Sequence, residues 1–330
     1  MTEALRYLTE KDVVAALTIP RAIDALQRML VAQARDGARN VPKALATWGD
    51  GSSMHALGSV QPGGYAGFKT WVHTKAGGGS LFSLFDADTG LLRAVIEARA
   101  LGMLRTAAIS GVATRALAPE TAAQAALIGT GPQAVTQLAA LAAVRKLRRG
   151  RSYSPTPEKR RAFVEAVAGK YDFAVEDAPT LEQALDGAEI VTLITRAVEP
   201  FVDAALLAGC RHLNAVGAIL PSKAEFAQDV FERADRVVVD DLENARRGSR
   251  ELRERYGADG APWDGVAVLG DLLARGETRA PDARLTLFKG MGMGLSDLAM
   301  AQVAYEHARD HGLGVALPPQ TRENLLLAQP

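Results

Sequence analysis

The sequence predicts an α/β protein: a doubly wound parallel sheet joined to a second, α+β unit. Three observations carry this. The stretch Ala126-Leu127-Ile128-Gly129-Thr130-Gly131-Pro132-Gln133-Ala134 runs from apolar residues through a glycine turn into an alanine-rich, helix-like segment. Short apolar runs at 125–128, 151–154, 190–195, 212–216, 236–239 and 285–288 alternate with helical stretches, the pattern of parallel strands with crossover helices. Residues 40–98 instead read as short strands and glycine-rich turns between helical segments.

Taken in order, Thr9-Glu10-Lys11-Asp12 reads as a helix start with Thr9 as its cap. A second helix runs from Pro20 to Gly37, with Ile23, Leu26, Met29 and Leu30 on one face. Strands follow at 53–60 and 67–72. A hairpin pairs 81–85 with 91–96 across Asp86-Ala87-Asp88-Thr89-Gly90. Thr106 is placed to cap an alanine-rich helix over 107–118, stopped by Pro119. Arg105 then stands at a helix N-terminus, where an anion is favoured. Thr180 and Gln183 form a capping-box pattern. A last long helix runs from Ser296 to Gly312 and returns to the first unit.

The glycine turn supplies the chemistry of a Rossmann-type fold. Gly129 permits the sharp turn, Gly131 lets a pyrophosphate approach the backbone, and Ala134 lets the helix pack closely. The phosphates then meet the free N–H groups of a helix N-terminus. The second strand ends in Tyr153-Ser154-Pro155-Thr156-Pro157-Glu158-Lys159-Arg160-Arg161. No acid follows the strand directly to hold ribose hydroxyls. Ser154, Thr156, Lys159 and Arg160 suit a 2′-phosphate instead, which favours NADP(H) over NAD(H), with Glu158 as the opposing sign.

Composition narrows the function classes. A chain of 330 residues that is 48% hydrophobic has material for two domains. Basic and acidic residues balance at 38 each, which argues against nucleic acid or an anionic membrane as the main partner. One cysteine, Cys210, leaves no internal disulfide or cysteine metal cluster to form. His55, His212, His307 and His311 lack metal-ligand spacing with carboxylates, so no metal is expected. The N-terminus carries acids and no long apolar run, and no uncharged stretch is long enough to span a bilayer. A cytoplasmic protein is the expectation.

Together with Gly67-Phe68-Lys69, Leu84 to Gly90, Leu104-Arg105-Thr106-Ala107-Ala108, Asn214-Ala215-Val216-Gly217-Ala218, Val239-Asp240-Asp241 and Leu287-Phe288-Lys289-Gly290-Met291-Gly292, the glycine turn resembles the ornithine cyclodeaminase/mu-crystallin family over nearly the whole chain. The resemblance implies a dinucleotide-binding domain over 113–299. It implies a substrate-binding and homodimerisation domain from 1–112 with 300–330. Members include cyclodeaminases, alanine dehydrogenases and reductases of cyclic or linear 2-imino acids. Mu-crystallin is a ketimine reductase that also binds thyroid hormone.

By the same resemblance, Lys69 and Arg105 hold a substrate carboxylate beside the nicotinamide, with Arg39 as a third, less secure basic partner. A planar carboxylate suits a guanidinium fork plus a lysine. The cofactor set is Thr106, Gly129, Thr130, Gly131, Pro132, Gln133, Ala134, Ser154, Thr156, Lys159, Arg160, Thr195, Val216, Gly217 and Lys289. One departure bears on activity. Cyclodeaminases carry an aspartate just after the Val-Gly pair, and Ile219 occupies that place in Val216-Gly217-Ala218-Ile219-Leu220-Pro221. Isoleucine moves no proton, so ring closure with ammonia loss is disfavoured and reduction of a preformed 2-imino acid is favoured.

Other residues stay on plainer readings. His73, four positions from Lys69 on one strand face, reads as a surface or packed histidine rather than a proton donor. Phe68 and Trp71 read as core before pocket, and 145–151 as a solvated face. Gly77-Gly78-Gly79-Ser80 is either a loop over the cofactor or a wide hairpin turn. Asp240-Asp241 ends a strand and starts a helix, and Cys210 fills a buried space.

Overall fold

A computed structural model describes residues 4–49, 51–257 and 262–321. The end of the 300–330 segment, after 321, lies outside the described residues. The chain opens with β1 (Arg6–Leu8), α1 (Glu10–Ala16) and α2 (Ile19–Arg35). Five strands follow: β2 (Arg39–Trp48), β3 (Ser52–Val60), β4 (Tyr65–Thr74), β5 (Gly77–Asp86) and β6 (Leu92–Glu97). After α3 (Arg99–Leu117) come β7 (Gln124–Ile128), α4 (Ala134–Val144), β8 (Arg149–Tyr153), α5 (Pro157–Val167), β9 (Ala174–Asp177), α6 (Leu181–Leu185), β10 (Ile190–Leu193) and β11 (His212–Ala215). The remainder is β12 (Ala234–Val239), α7 (Leu242–Gly248), α8 (Arg250–Tyr256), β13 (Val266–Val268), α9 (Leu269–Arg275), β14 (Leu285–Lys289), α10 (Gly294–His311) and β15 (Val315–Ala316).

These strands make two sheets. The first has the order β15-β1-β6-β5-β4-β3-β2, antiparallel except where β1 runs beside β6. The second has the order β13-β12-β14-β11-β10-β7-β8-β9 and is parallel throughout. The chain crosses from one side of β7 to the other between β9 and β10. That reversal opens a crevice at the strand C-terminal ends, where ligands bind in such sheets. Between the sheets lies one apolar core that includes Leu26 and Leu30 of α2, Val112 of α3 and Leu298 of α10.

Local chemistry explains the boundaries. Thr9 and Asp12 complete the capping box of α1, and Thr18 caps α2 with Pro20 in its first turn. Gly312, at φ 65°, ends α10. The helix expected over 107–118 starts earlier, at Arg99, because the Glu10 carboxylate accepts the N–H groups of Arg99 and Ala100, both at 2.8 Å. A cap 89 residues away leaves no local signal. Thr106 therefore lies mid-helix, its hydroxyl donating to Gly102 O at 2.9 Å, and Arg105 does not stand at a helix N-terminus. The 77–80 segment is neither loop nor wide turn: it is ladder, paired with residues 71–74. The 145–151 run is only partly a solvated face. Arg145 is buried and donates to the carbonyls of Thr114 and Ala118 at 2.7 Å, closing the C-terminal end of α3.

Behind the crevice the sheet carries a buried polar network. His212 shares hydrogen bonds with Thr286 Oγ1 at 2.8 Å and Asn214 Oδ1 at 3.1 Å, and Asn214 donates to Thr114 Oγ1 at 2.9 Å. Burial pushes the His212 imidazole down to about 3, so it is neutral. Burial likewise pushes the Cys210 thiol up to about 12, in keeping with a packing role. Among the described residues no helix is long and apolar enough to cross a membrane, and no group of three or more His, Cys, Asp or Glu side chains is placed to hold a metal.

Candidate active site

One cavity of about 980 Å³ runs along the ends of β7, β8, β10, β11 and β14 to the face of β2, β3 and β4. Its middle is the glycine turn. Gly129 has φ 113°, and a Cβ there would lie 2.4 Å from Ile194 O, so only glycine fits. A Cβ on Gly131 would meet nothing within 4 Å, so the backbone is open to a ligand. Thr130, Gly131, Pro132 and Gln133 line the cavity, while Ala134 is buried as the first residue of α4. This turn, open backbone and following helix fit the pyrophosphate of a dinucleotide.

At the end of β8, Tyr153, Ser154, Thr156 and Lys159 line the cavity. Arg160 does not. It is buried, with Nε 2.5 Å from Asp177 Oδ1 and Nη1 2.8 Å from Ser154 O, so its fork is already occupied. On the other side of the turn, Thr106, Thr195, Val216 and Gly217 line the wall. Lys289 is fully buried and its ammonium pairs with Glu251 at 3.1 Å, out of the cavity's reach. Of the three basic residues read as cofactor contacts from the sequence, Lys159 lines the cavity, while Arg160 and Lys289 bind the protein itself.

Beyond the turn lies a cationic end. Arg105 lines the cavity. Lys69 stands one layer back: its ammonium lies 3.2 Å from Asp297 Oδ1 and 5.6 Å from the centre of the Trp71 ring, which does line it. The same Asp297 oxygen is 3.7 Å from Arg105 Nε. Asp297 is fully buried in the first turn of α10, where the helix dipole favours a carboxylate. Its Oδ2 has no hydrogen-bond partner among the described residues.

Arg39 is not brought into this group. It starts β2 exposed, and Lys43 lines the cavity in its place. The cause is a bulge: Val41 pairs with Gly58 but Ala44 with Ala56, so one extra residue is inserted around Pro42 and Lys43. Such an insertion re-aims a side chain. Burial first, and then the Arg105 charge, lower the Lys43 pKa.

Sequence reasoning missed Lys43, Asp297 and His55. The His55 ring stacks on Trp71 at 4.5 Å and 4°, and both rings line the cavity, so Trp71 belongs to the pocket rather than the core. His55 has its pKa lowered by burial and then by Lys43. His73 is exposed and does not line the cavity. Pro42 in a strand pattern was the available signal for the bulge. Asp297, 228 residues from Lys69, had none.

The 290–292 turn closes the floor. Asp240 accepts from Met291 N at 2.9 Å and Gly292 N at 2.7 Å, and burial raises its carboxyl to about 6. Asp241 caps α7, accepting from Asn244 N at 2.8 Å. Ile219 and Leu220 stand exposed at the mouth. Lys43, Arg105, Lys159, Arg196 and Lys223 line the cavity, and no aspartate or glutamate does among the described residues.

With this geometry the family can be stated. The model of the ornithine cyclodeaminase/mu-crystallin family matches residues 24–312. The chain belongs to that family. A Δ1-pyrroline-2-carboxylate reductase of Bacillus cereus is 33% identical over 234 residues, covering 70% of this chain and 71% of the relative. The iminosuccinate reductase of Paracoccus denitrificans is 29% identical over 321 residues, covering 93% and 97%. Its structure with NAD+ superposes with a TM-score of 0.87 at 26% identity, covering 96% of this chain and all of that one. An archaeal alanine dehydrogenase dimer with bound NAD gives 0.86 at 26% identity, covering 95% and 99%. These neighbours share the Rossmann-type α/β architecture described above.

Proposed function

We propose that this member of the family is an NAD(P)H-dependent reductase of small 2-imino acids, cyclic or linear. The observation that carries the reading is a continuous cavity that joins the glycine turn to Arg105 and Lys43 and whose charged lining, among the described residues, is all cationic. Such a lining favours an anionic cofactor beside a substrate carboxylate. It offers no partner to the second ammonium of a diamino acid, and Ile219 offers no base. Both features weigh against a cyclodeaminase. The reductases among the relatives support the reading.

Arg105 and Lys43 hold the carboxylate and set one face of the C=N carbon toward the nicotinamide side. A reduced nicotinamide dinucleotide, its pyrophosphate held at the glycine turn, would supply the hydride. Lys69, fixed by Asp297, adds positive potential behind that carboxylate. The C=N pair moves onto nitrogen, and a proton taken from solvent completes the amine. In this reading the first sheet with α10 carries the substrate and the second sheet the cofactor, with the division near 112 and 300.

Ser154, Thr156 and Lys159 support NADP(H) over NAD(H). The occupied fork of Arg160 removes part of that support, and the two solved neighbours hold NAD. We also assign a homodimer, in which a second copy covers Met54, Val72 and Leu81, exposed on one face of the first sheet.

The test follows cofactor absorbance with Δ1-piperideine-2-carboxylate, using NADPH and NADH in parallel, and assays ammonia from L-ornithine. Oxidation of either cofactor by the imine is the expected result. Ammonia from ornithine would replace the reading with a cyclodeaminase. Tight cofactor binding with no turnover on any imine would indicate a ligand-binding protein.

A further inference from the structure

Glu225 is fully buried, and its carboxylate is used up by two loops. Oε1 accepts from Thr195 N and Thr195 Oγ1, both at 2.7 Å. Oε2 accepts from Gly217 N at 2.9 Å and Ala218 N at 3.1 Å. The first loop leaves β10 and the second leaves β11, neighbouring strands of the parallel sheet. Gly217 lies so close that a Cβ would sit 2.3 Å from Glu225 Oε1 and 2.2 Å from Thr195 N. No side chain separates the two loops; the carboxylate does.

This anion is also held from behind. Glu225 N donates to Glu251 Oε1 at 3.1 Å, and the same oxygen accepts from Lys289 Nζ at 3.1 Å. Ser249 Oγ donates to the other Glu251 oxygen at 3.0 Å. Lys289, out of the cavity, thus anchors the group that anchors the loops. An anion buried at this depth is costly unless its lone pairs are filled, and four donors fill them.

What Glu225 holds is cavity wall. Thr195, Ala197, Val216, Gly217 and Ile219 all line it from these two loops. In the sheet they lie across β7 from β8, whose end carries Ser154 and Lys159. A dinucleotide straddling the β7 turn puts one nucleoside on each side. The β8 side takes the adenosine, so the 195 and 217 loops face the nicotinamide, beside Arg105.

Resting on that reading of the cofactor, we propose that Glu225 is a positioning residue for the nicotinamide half-site, holding the β10 and β11 loops at the spacing the ring requires. A carboxylate is needed because three of the four partners are backbone N–H groups that only donate, with at least one on each loop. A glutamine turns its NH2 toward an N–H group of one loop and loses that loop.

The experiment compares the wild type with Glu225→Gln in NADH binding and in ADP-ribose binding, with thermal unfolding as a check. ADP-ribose lacks the nicotinamide ring, so it reports the β7–β8 half alone. The expected result is NADH affinity lower by roughly ten- to a hundredfold, the loss of one or two charge-assisted hydrogen bonds, with ADP-ribose affinity kept. Should the glutamine variant not fold, Glu225→Asp, one methylene short and able to reach one loop only, carries the same expectation. Equal affinities, an equal loss of both ligands, or failure of both variants to fold would overturn the proposal and leave Glu225 a scaffold group. A wild type that binds neither ligand would overturn the cofactor reading first, a distinguishable result.

Discussion

Asp297 lies between two cations at one end of the cavity, 3.2 Å from Lys69 Nζ and 3.7 Å from Arg105 Nε. All three come from different elements: Lys69 from β4, Arg105 from α3, Asp297 from α10. Two cations converging on one carboxylate oxygen repel each other, and the shared anion offsets that repulsion and fixes their spacing. A substrate carboxylate then meets a charge pattern already set, which lowers the ordering cost of binding.

Asp297→Asn therefore lowers kcat/KM for the imino acid by about 10²-fold or more, the scale of losing one partner of a buried pair. NADH affinity stays as in the wild type, because Asp297 does not line the nucleotide part of the cavity. Steady-state kinetics beside a fluorescence titration of NADH check both halves. An unchanged kcat/KM contradicts the assignment.

Lys43→Ala and Arg39→Ala separate the bulge from the strand start. Lys43 lines the cavity and Arg39 does not. The first variant raises KM for the imino acid by about tenfold, the value of one charge-assisted contact. The second leaves KM where it was. A larger effect from Arg39→Ala would mean that the bulge is read wrongly.

These two pairs show what a sequence carries. The glycine turn, the strand-helix alternation and the long C-terminal helix were legible because each is local: a period, a cap, a turn residue. Motifs named Lys69 and Arg105, and both stand beside one carboxylate, that of Asp297. Lys43 was hidden because a bulge breaks strict alternation after Pro42. Asp297, Glu225 and the Glu10 cap on α3 were hidden because each acts on a segment distant in sequence. Arg160 and Lys289 carried the right charge in the right motif, but Asp177 and Glu251 had already claimed them. Only the packed structure assigns a cation its partner.

The β8 end gives a third test. Lys159→Ala weakens NADPH by about tenfold relative to NADH, since an ammonium facing the 2′-phosphate is a charge-assisted contact. Arg160→Ala leaves that ratio alone and costs stability instead, about 1–3 kcal/mol, because it strips partners from Asp177 and Ser154 O. KM ratios for the two cofactors and urea unfolding read the two effects separately. A changed cofactor ratio in Arg160→Ala would return that arginine to the site.

Two buried groups act on acid sensitivity with opposite signs. His212 falls from 6.5 to about 3 on folding, pushed chiefly by burial. Its contribution is full above pH 6.5 and is lost as pH falls toward 3, because the unfolded chain takes up the proton first. Asp240 rises from 3.8 to about 6, again chiefly through burial. Its contribution is full below pH 3.8 and is lost as pH rises toward 6, because the folded chain keeps its proton longer. Between pH 4 and 6 the two slopes, each about 1.4 kcal/mol per pH unit at most, oppose each other. Asp240→Asn removes one of them. Relative to the wild type, the variant then loses additional stability with each step down from pH 6 to 4, whatever its stability at pH 7. Urea unfolding at half-unit intervals measures the difference in slope. Parallel curves for the two proteins would show that Asp240 does not hold its proton in the folded state.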